Sequence, residues 1–315
     1  MTEHGTSGTY HRPVLLDETI EALAVRPDGV YVDGTAGGGG HSYAIASRLT
    51  SGGRLISLDQ DPDAVVEASR RLQGLPARVI RANFTEIARV LREEGLSAAD
   101  GILLDIGVSS YQLDNPDRGF SYMQDAPLDM RMDQSHGTSA KDLINEANVD
   151  ELTRILYEYG EEKWAKRIAA FIVEARTKAP LETTFELVDV IKKAIPAAAR
   201  EKDQHPAKRS FQAFRIAVND ELAVLEKGLE GAISLLKPNG VLVVISFHSL
   251  EDRIVKEKFK FHATECICPP RTPICTCGHH ADLKILTRKP VTAKEDELMA
   301  NPRSRSALLR AARKL

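Results

Sequence analysis

Between residues 29 and 107, short apolar runs rich in β-branched residues alternate with stretches whose apolar positions recur at helical spacing. The runs at 30–33, 54–59, 77–81 and 101–105 predict strands. The intervening segments at 41–49, 62–73 and 85–94 predict helices. Strand and helix in strict alternation are the mark of βαβ units and a parallel sheet. Asp61 followed by Pro62 supplies a helix start, with an acceptor at the N-cap and proline at the first helical position.

Beyond Ile106 the pattern changes to loops and amphipathic helices. Helices are predicted at 140–147, 150–159, 161–177 and 183–194, the last opening with Thr183 and Glu186 at capping-box spacing. A long helix over 212–236 then leads through the turn Lys237-Pro238-Asn239-Gly240 into a buried strand at 241–246. Segments 283–291 and 306–312 are expected to pair as a hairpin across the loop holding Asn301 and Pro302. The α/β pattern is thus interrupted and resumed. The expected division is residues 1–110, an inserted helical substrate-recognition domain over 111–214, and a second α/β part over 215–315. No internal repeat or low-complexity tract breaks this order.

The 315 residues are 43% hydrophobic, with 42 Lys and Arg against 45 Asp and Glu, which places the chain far from disorder. The opening MTEHGTSGTYHRPV holds no apolar run of signal-peptide length, and nowhere does a run approach the length of a membrane span. The four cysteines, Cys266, Cys268, Cys275 and Cys277, fall in one short segment, so distant parts of the chain are not stapled together. A reducing cytoplasm is the expected setting. The net charge of −3 hides two basic clusters. One comprises Lys192, Lys193, Arg200, Lys202, Lys208, Arg209 and Arg215, with only Glu201 and Asp203 among them. The other comprises Arg303, Arg305, Arg310, Arg313 and Lys314. Either could be a solvated face, or a surface for a polyanion.

The first predicted strand, ending at Asp33, runs straight into Gly34-Thr35-Ala36-Gly37-Gly38-Gly39-Gly40-His41-Ser42. Glycine at such a turn lets a ligand press against the backbone. Asp59, at the end of the second strand, can accept hydrogen bonds from both hydroxyls of a ribose. Dinucleotides and S-adenosylmethionine share this arrangement. No Gly-x-Gly-x-x-Gly fits the register, since starting from Gly37 puts Ser42 in the third place. Asp33 would repel a pyrophosphate but suits a cationic sulfonium with its ammonium group. The residues favour S-adenosylmethionine.

Longer motifs make the chain resemble one family, the bacterial small-subunit ribosomal RNA cytosine-N4 methyltransferases of the RsmH (MraW) type. The motifs are HRPVLLDE at 11–18, YVDGTAGGGGHS at 31–42, LDQDPDA at 58–64, DGILLDIGVSSYQLD at 100–114, RGFSY at 118–122, PLDMRMD at 127–133, HPAKRSFQAFRIAVNDEL at 205–222, ISFHSLEDRIVK at 245–256 and NPRSRSALLR at 301–310. Tyr111 stands where proline is expected. The resemblance implies a Rossmann-like S-adenosylmethionine-dependent methyltransferase sheet, α/β in class, with an inserted all-helical domain. It implies that Gly39, Gly40, His41, Asp59, Phe84, Asp105 and Gln112 bind the cofactor, with Asp59 on its ribose. The implied substrate is a cytidine in the decoding region of 16S ribosomal RNA within the small subunit.

Methylating an exocyclic amine requires the nitrogen to be held in line with the methyl–sulfur bond and its proton to be accepted. The Asp/Asn/Ser-Pro-Pro-Tyr/Phe motif of many amine methyltransferases is replaced here by Asp105-Ile106-Gly107-Val108. Asp105, Asp129, Asp133, His248, Glu251 and Asp252 are the candidates, and His248 and Asp252 are the expected catalytic pair. Arg131, Lys208, Arg209 and Arg215 are the expected phosphate contacts. No metal is assigned. The Cys-x-Cys pairs, with His262, His279 and His280 nearby, leave open a structural zinc or reduced surface thiols, because zinc ribbons use Cys-x2-Cys. A methyltransferase for another RNA or DNA, and a non-catalytic assembly factor, stay as alternatives, and a homodimer stays open.

Overall fold

The computed structural model describes residues 13–200, 204–270, 272 and 274–315. His11 and Arg12 of the first motif, together with Glu201, Lys202 and Asp203, lie outside the described residues. The strands are β1 (Val30–Asp33), β2 (Arg54–Asp59), β3 (Ala77–Arg81), β4 (Ala99–Asp105), β5 (Leu236–Ser246), β6 (Leu283–Ile285) and β7 (Leu308–Lys314). They form one sheet in the order β3-β2-β1-β4-β5-β7-β6. Strands β1 to β5 pair in parallel, and β7 runs antiparallel between β5 and β6. This is the Rossmann-like methyltransferase sheet expected from the sequence. Its order reverses between β1 and β4, and at such a switch point the loops leaving the strand ends part to form a crevice.

The chain divides into two compact units. The α/β unit comprises the described residues up to Asp59, then Val65–Ile106 and Gly228–Leu315; the helical unit comprises Gln60–Ala64 and Gly107–Lys227. In the α/β unit the central strands are apolar on both faces. Ile102, Leu103, Leu104, Leu242, Val243 and Ile245 are inaccessible to solvent, as parallel strands covered on both sides require. Leu15, Ile45, Leu55 and Leu309 complete that core.

The helical unit packs around Ile144, Leu152, Ile168, Leu187, Ile191, Phe211 and Phe214. Its helices begin where the sequence offers caps: Ser139 with Asp142, Asn148, and Thr183 with Glu186. The helix expected from 161 begins only at Ala165, because Glu161 sits in the left-handed region and Glu162 turns back to accept the Trp164 N–H at 3.0 Å. The single helix expected over 212–236 is two, Lys208–Asn219 and Glu221–Ser234, parted by Asp220 at φ 49°. Asn219 explains the break. Its side chain accepts the Met132 N–H and donates to the Met130 carbonyl, both at 2.8 Å, and these bonds end the helix there.

Gln60–Ala64 joins the helical unit through Asp61. As expected, Asp61 caps its helix, accepting the Asp63 N–H at 3.0 Å. Its other oxygen accepts from Arg118 Nη1 and Gln112 Nε2, each at 2.7 Å, with both charged side chains almost fully buried. Arg118 also donates to the Arg131 and Met132 carbonyls. Relative to the expected division, the helical unit therefore gains this short segment and extends to Lys227.

The 237–240 turn lies within β5 as a bulge: Ala99 pairs with Leu236, but Gly101 pairs with Val241. The terminal hairpin forms between β6 and β7, and the run 295–300, left without an element by the sequence pattern, is the helix Glu295–Ala300. No helix among the described residues is long and apolar enough to cross a membrane.

Candidate functional site

The loop after β1 is tied down by its own strand ends. Gly34 N–H donates to the Leu103 carbonyl and Ala36 N–H to the Leu58 carbonyl. Gly37 N–H donates to Asp59 Oδ2 at 2.8 Å. Gly39 takes φ +74° as it opens the helix Gly40–Ala46, a conformation that strains any side chain. A Cβ on Gly40 would stand 2.3 Å from Pro13 Cγ, whereas one on Gly38 would meet nothing within 4 Å. Glycine at 40 thus serves packing, and the backbone at 38 borders open space.

Two acids close this loop from the strand ends. Asp33 is fully buried; Oδ2 accepts the Ser42 hydroxyl at 2.6 Å and Oδ1 the Thr35 N–H at 3.1 Å. Burial nevertheless pushes its carboxyl above the usual range, more strongly than those hydrogen bonds hold it down. Asp105 is anchored through its own N–H, which donates to Thr35 Oγ1 at 2.6 Å. Burial, reinforced by the like charges of Asp33 and Glu251, drives the Asp105 carboxyl well above the carboxylate range. Its Oδ1 is buried and accepts no hydrogen bond among the described residues.

His41 stands beside Asp105, Nδ1 lying 3.5 Å from Oδ2. Nε2 is 2.9 Å from the Val14 carbonyl, so this nitrogen carries the proton. Burial, followed by the neighbouring Arg71 charge, pushes the imidazole down to about 4 despite the Val14 bond. His41 is therefore neutral at physiological pH. An orphaned buried carboxylate oxygen is costly. A cationic ligand arriving beside Asp105 would supply what it lacks, so the residues present fit a sulfonium cofactor. Phe84, which opens the 3-10 turn Phe84–Glu86 after β3, packs against glycine backbone: a Cβ on Gly228 would stand 2.2 Å from its ring.

The structure brings Gly39, Gly40, His41, Asp59, Phe84 and Asp105 into the α/β unit, at the last residues of β2 and β4 and in the segments that follow β1 and β3. Gln112 belongs to the helical unit. Besides bonding Asp61, its Oε1 accepts the Ser109 N–H, so both ends of its amide are engaged. His248 and Asp252 sit at the start of the helix Ser249–His262 that follows β5. Nδ1 of His248 caps that helix by accepting the Glu251 N–H at 3.4 Å, and Nε2 lies 3.1 Å from Glu251 Oε1. Both carboxylate oxygens of Asp252 are held by Arg310 of β7, at 2.6 and 2.9 Å.

The expected phosphate contacts also divide. Arg131 is paired bidentately with Asp129, and Arg215 with Glu221. Lys208 is exposed at the start of its helix, and Arg209 donates to the Glu161 carbonyl. Sequence reasoning missed Thr35 and Ser42 as the groups that hold Asp105 and Asp33. Their place inside the glycine loop, directly after an acid, was the available signal.

Residues 8–315 match the model of the MraW methylase family. The chain is 57% identical over 309 residues to Ribosomal RNA small subunit methyltransferase H of Heliobacterium modesticaldum, covering 97% of this chain and 99% of that protein. It is 57% identical to the protein of the same name from Symbiobacterium thermophilum, over 97% of each chain. The Clostridioides difficile protein of that name is 54% identical over 97% of this chain and 99% of its own length. With its sheet order, its acid-flanked glycine loop and a match over nearly every residue, the chain belongs to the MraW methylase family.

Proposed function

We propose that this protein is an S-adenosylmethionine-dependent methyltransferase that methylates N4 of a cytidine in the decoding region of 16S ribosomal RNA, in the cytoplasm and on the small ribosomal subunit. The observation that carries this reading is the pair of acids at the ends of adjacent strands β1 and β4 beside the glycine loop, Asp33 fully buried and Asp105 partly exposed with its Oδ1 buried and unpaired among the described residues. Such a pair stabilises positive charge and repels a pyrophosphate. Nearly full-length identity to proteins named for small-subunit ribosomal RNA methylation supports the substrate class.

In this proposal Gly39 and Gly40 offer backbone to the cofactor, Asp59 takes its ribose hydroxyls and Phe84 borders its adenine. When bound, S-adenosylmethionine supplies an electrophilic methyl group on a positively charged sulfur. Asp105 does two things. Its carboxyl ionises beside that charge, and it then accepts a hydrogen bond from the cytosine amine, turning the nitrogen lone pair toward the methyl group. Neutral His41 places no second positive charge beside Asp105, which leaves that carboxylate to the sulfonium. The proton released by the amine passes to Asp105 or through it to water.

His248, which the sequence marks as catalytic, is proposed to place Glu251 near Asp105 by capping the helix after β5. Asp252 is proposed to brace that helix against β7 through Arg310. Gln112 is proposed to act on the cofactor side through Asp61. Lys208 and Arg209 are the proposed phosphate contacts, with Arg131 and Arg215 shaping the surface from their ion pairs.

The test is methyl transfer from labelled S-adenosylmethionine to small ribosomal subunits from a strain lacking this gene, followed by mass mapping of the modified nucleotide. One N4-methylated cytidine in the decoding region is the expected product. Cofactor binding without transfer would overturn the substrate assignment.

A further inference from the structure

Between the helix ending at His262 and the strand beginning at Leu283, the described residues form neither helix nor strand. An excursion of this length without elements of its own is uncommon in a compact unit unless something holds it. Burial does not: Ile267 and Ile274, two of its few apolar side chains, are 49% and 76% exposed. The neck is fastened. Asp282 N–H donates to the His262 carbonyl at 2.9 Å, His262 Nδ1 lies 2.8 Å from Asp282 Oδ1, and His279 Nε2 lies 3.0 Å from the Phe261 carbonyl.

At the head of the excursion all four cysteines converge. Their sulfurs lie within 4.8 Å of one another. Cys266 Sγ is 3.5 Å from that of Cys275 and 3.8 Å from that of Cys277, Cys268 is 3.9 Å from Cys275, and Cys275 is 3.5 Å from Cys277. None is disulfide-bonded. With zinc–sulfur bonds of about 2.3 Å, a regular tetrahedron of sulfurs has edges of about 3.8 Å. The observed spacing matches that figure. An iron–sulfur cluster would hold its thiolates further apart, because bridging sulfides stand between them. The backbone N–H of Thr276 is 3.5 Å from Cys268 Sγ, and those of Ile267 and His279 serve Cys277, so the sulfurs already receive the donors that a set of metal-bound thiolates uses. Of the nearby histidines, His262 and His279 are taken up at the neck.

We propose that Cys266, Cys268, Cys275 and Cys277 bind a single structural zinc ion that holds the excursion over 263–282 in shape. The two Cys-x-Cys pairs each contribute one edge of the tetrahedron, and binding releases the thiol protons to solvent. The ion lies apart from the glycine loop in sequence and takes no part in methyl transfer.

The experiment uses the full-length chain, untagged so that no histidine tag binds metal, and purified without chelator. Elemental analysis should find about one zinc per chain, and removing the ion should expose the excursion to limited proteolysis and its thiols to alkylation. Cobalt titrated into the stripped wild-type protein should give the intense thiolate-to-cobalt absorption and tetrahedral ligand-field bands of a four-sulfur site. The Cys268→Ser/Cys275→Ser variant should lose both metal and spectrum while retaining cofactor binding. Clearly sub-stoichiometric zinc after growth in zinc-supplemented medium, with no cobalt–thiolate spectrum, would overturn the proposal. So would iron accompanied by acid-labile sulfide. Because the cobalt titration uses the wild-type chain, the result stands even if the variant misfolds.

Discussion

A neutral imidazole buried beside the glycine loop makes the protein sensitive to mild acid in a way that can be isolated. His41 is pushed down to about 4 from an ordinary 6.5. The unfolded chain takes up a proton on this ring as pH falls below 6.5, while the folded chain refuses it until about 4. Its contribution to stability is therefore complete above 6.5 and is lost progressively toward 4. At about 1.4 kcal/mol per pH unit, the loss across that window reaches at most about 3 kcal/mol. Asp33 and Asp105 act in the opposite sense. Their carboxyls are raised in the folded state, so folding is favoured as pH falls through their folded values toward the ordinary carboxylate range. The wild-type profile is a difference of these effects, and a variant is needed to separate them. His41→Gln keeps an amide that can donate to the Val14 carbonyl and removes the titration. Urea unfolding of both proteins over a series of pH values gives the assay. The stability difference between wild type and variant should narrow by roughly 3 kcal/mol as pH falls through the window. Parallel loss of stability in the two proteins would refute the assignment of a depressed, neutral His41.

Two further outcomes follow from the buried charges. Asp61→Asn leaves the buried Arg118 guanidinium with only the exposed Asp63 carboxylate, 3.6 Å away, as counter-charge and should cost about 3 kcal/mol in urea unfolding; Asp61→Leu combined with Arg118→Met should recover much of it, and a cost below about 1 kcal/mol would remove the pair from the framework. Calorimetric affinity of the wild type for S-adenosylmethionine should tighten with rising pH as Asp105 ionises, whereas Asp105→Asn should bind weakly and with a flatter pH profile; an equal slope in both would place the titrating group elsewhere.

The five parallel strands were legible because each is a short apolar run closed by a polar residue or a turn. The glycine loop with Asp33 and Asp59 was legible for the same reason: its contacts are local to strand ends. Contacts distant in sequence were not. The break at Asp220 depends on Asn219 reaching the backbone at Met130 and Met132, and no helical periodicity records that. The basic clusters show the same limit. A sequence displays Arg131 and Arg215 as cations, but only the fold reveals Asp129 and Glu221 as their partners. Likewise the basic cluster near residue 310 reads as a solvated face or a surface for a polyanion, yet Arg310 of β7 is engaged with Asp252. The charge pattern locates cations; it does not say which remain available to a phosphate.

The place of β7 in the sheet has a consequence for biosynthesis. A strand made last in sequence order is inserted between two made earlier, β5 and β6. As the chain emerges from the ribosome, the long apolar edge of β5 must stay unpaired until residues 308–314 arrive, and open edges of that kind invite pairing with other chains. Every helix of the helical unit is already synthesised by then, since that unit's residues precede Gly228. Maturation of the α/β unit thus waits until residues 308–314 have emerged, and Arg310, arriving with that strand, closes on Asp252 only when synthesis has reached it.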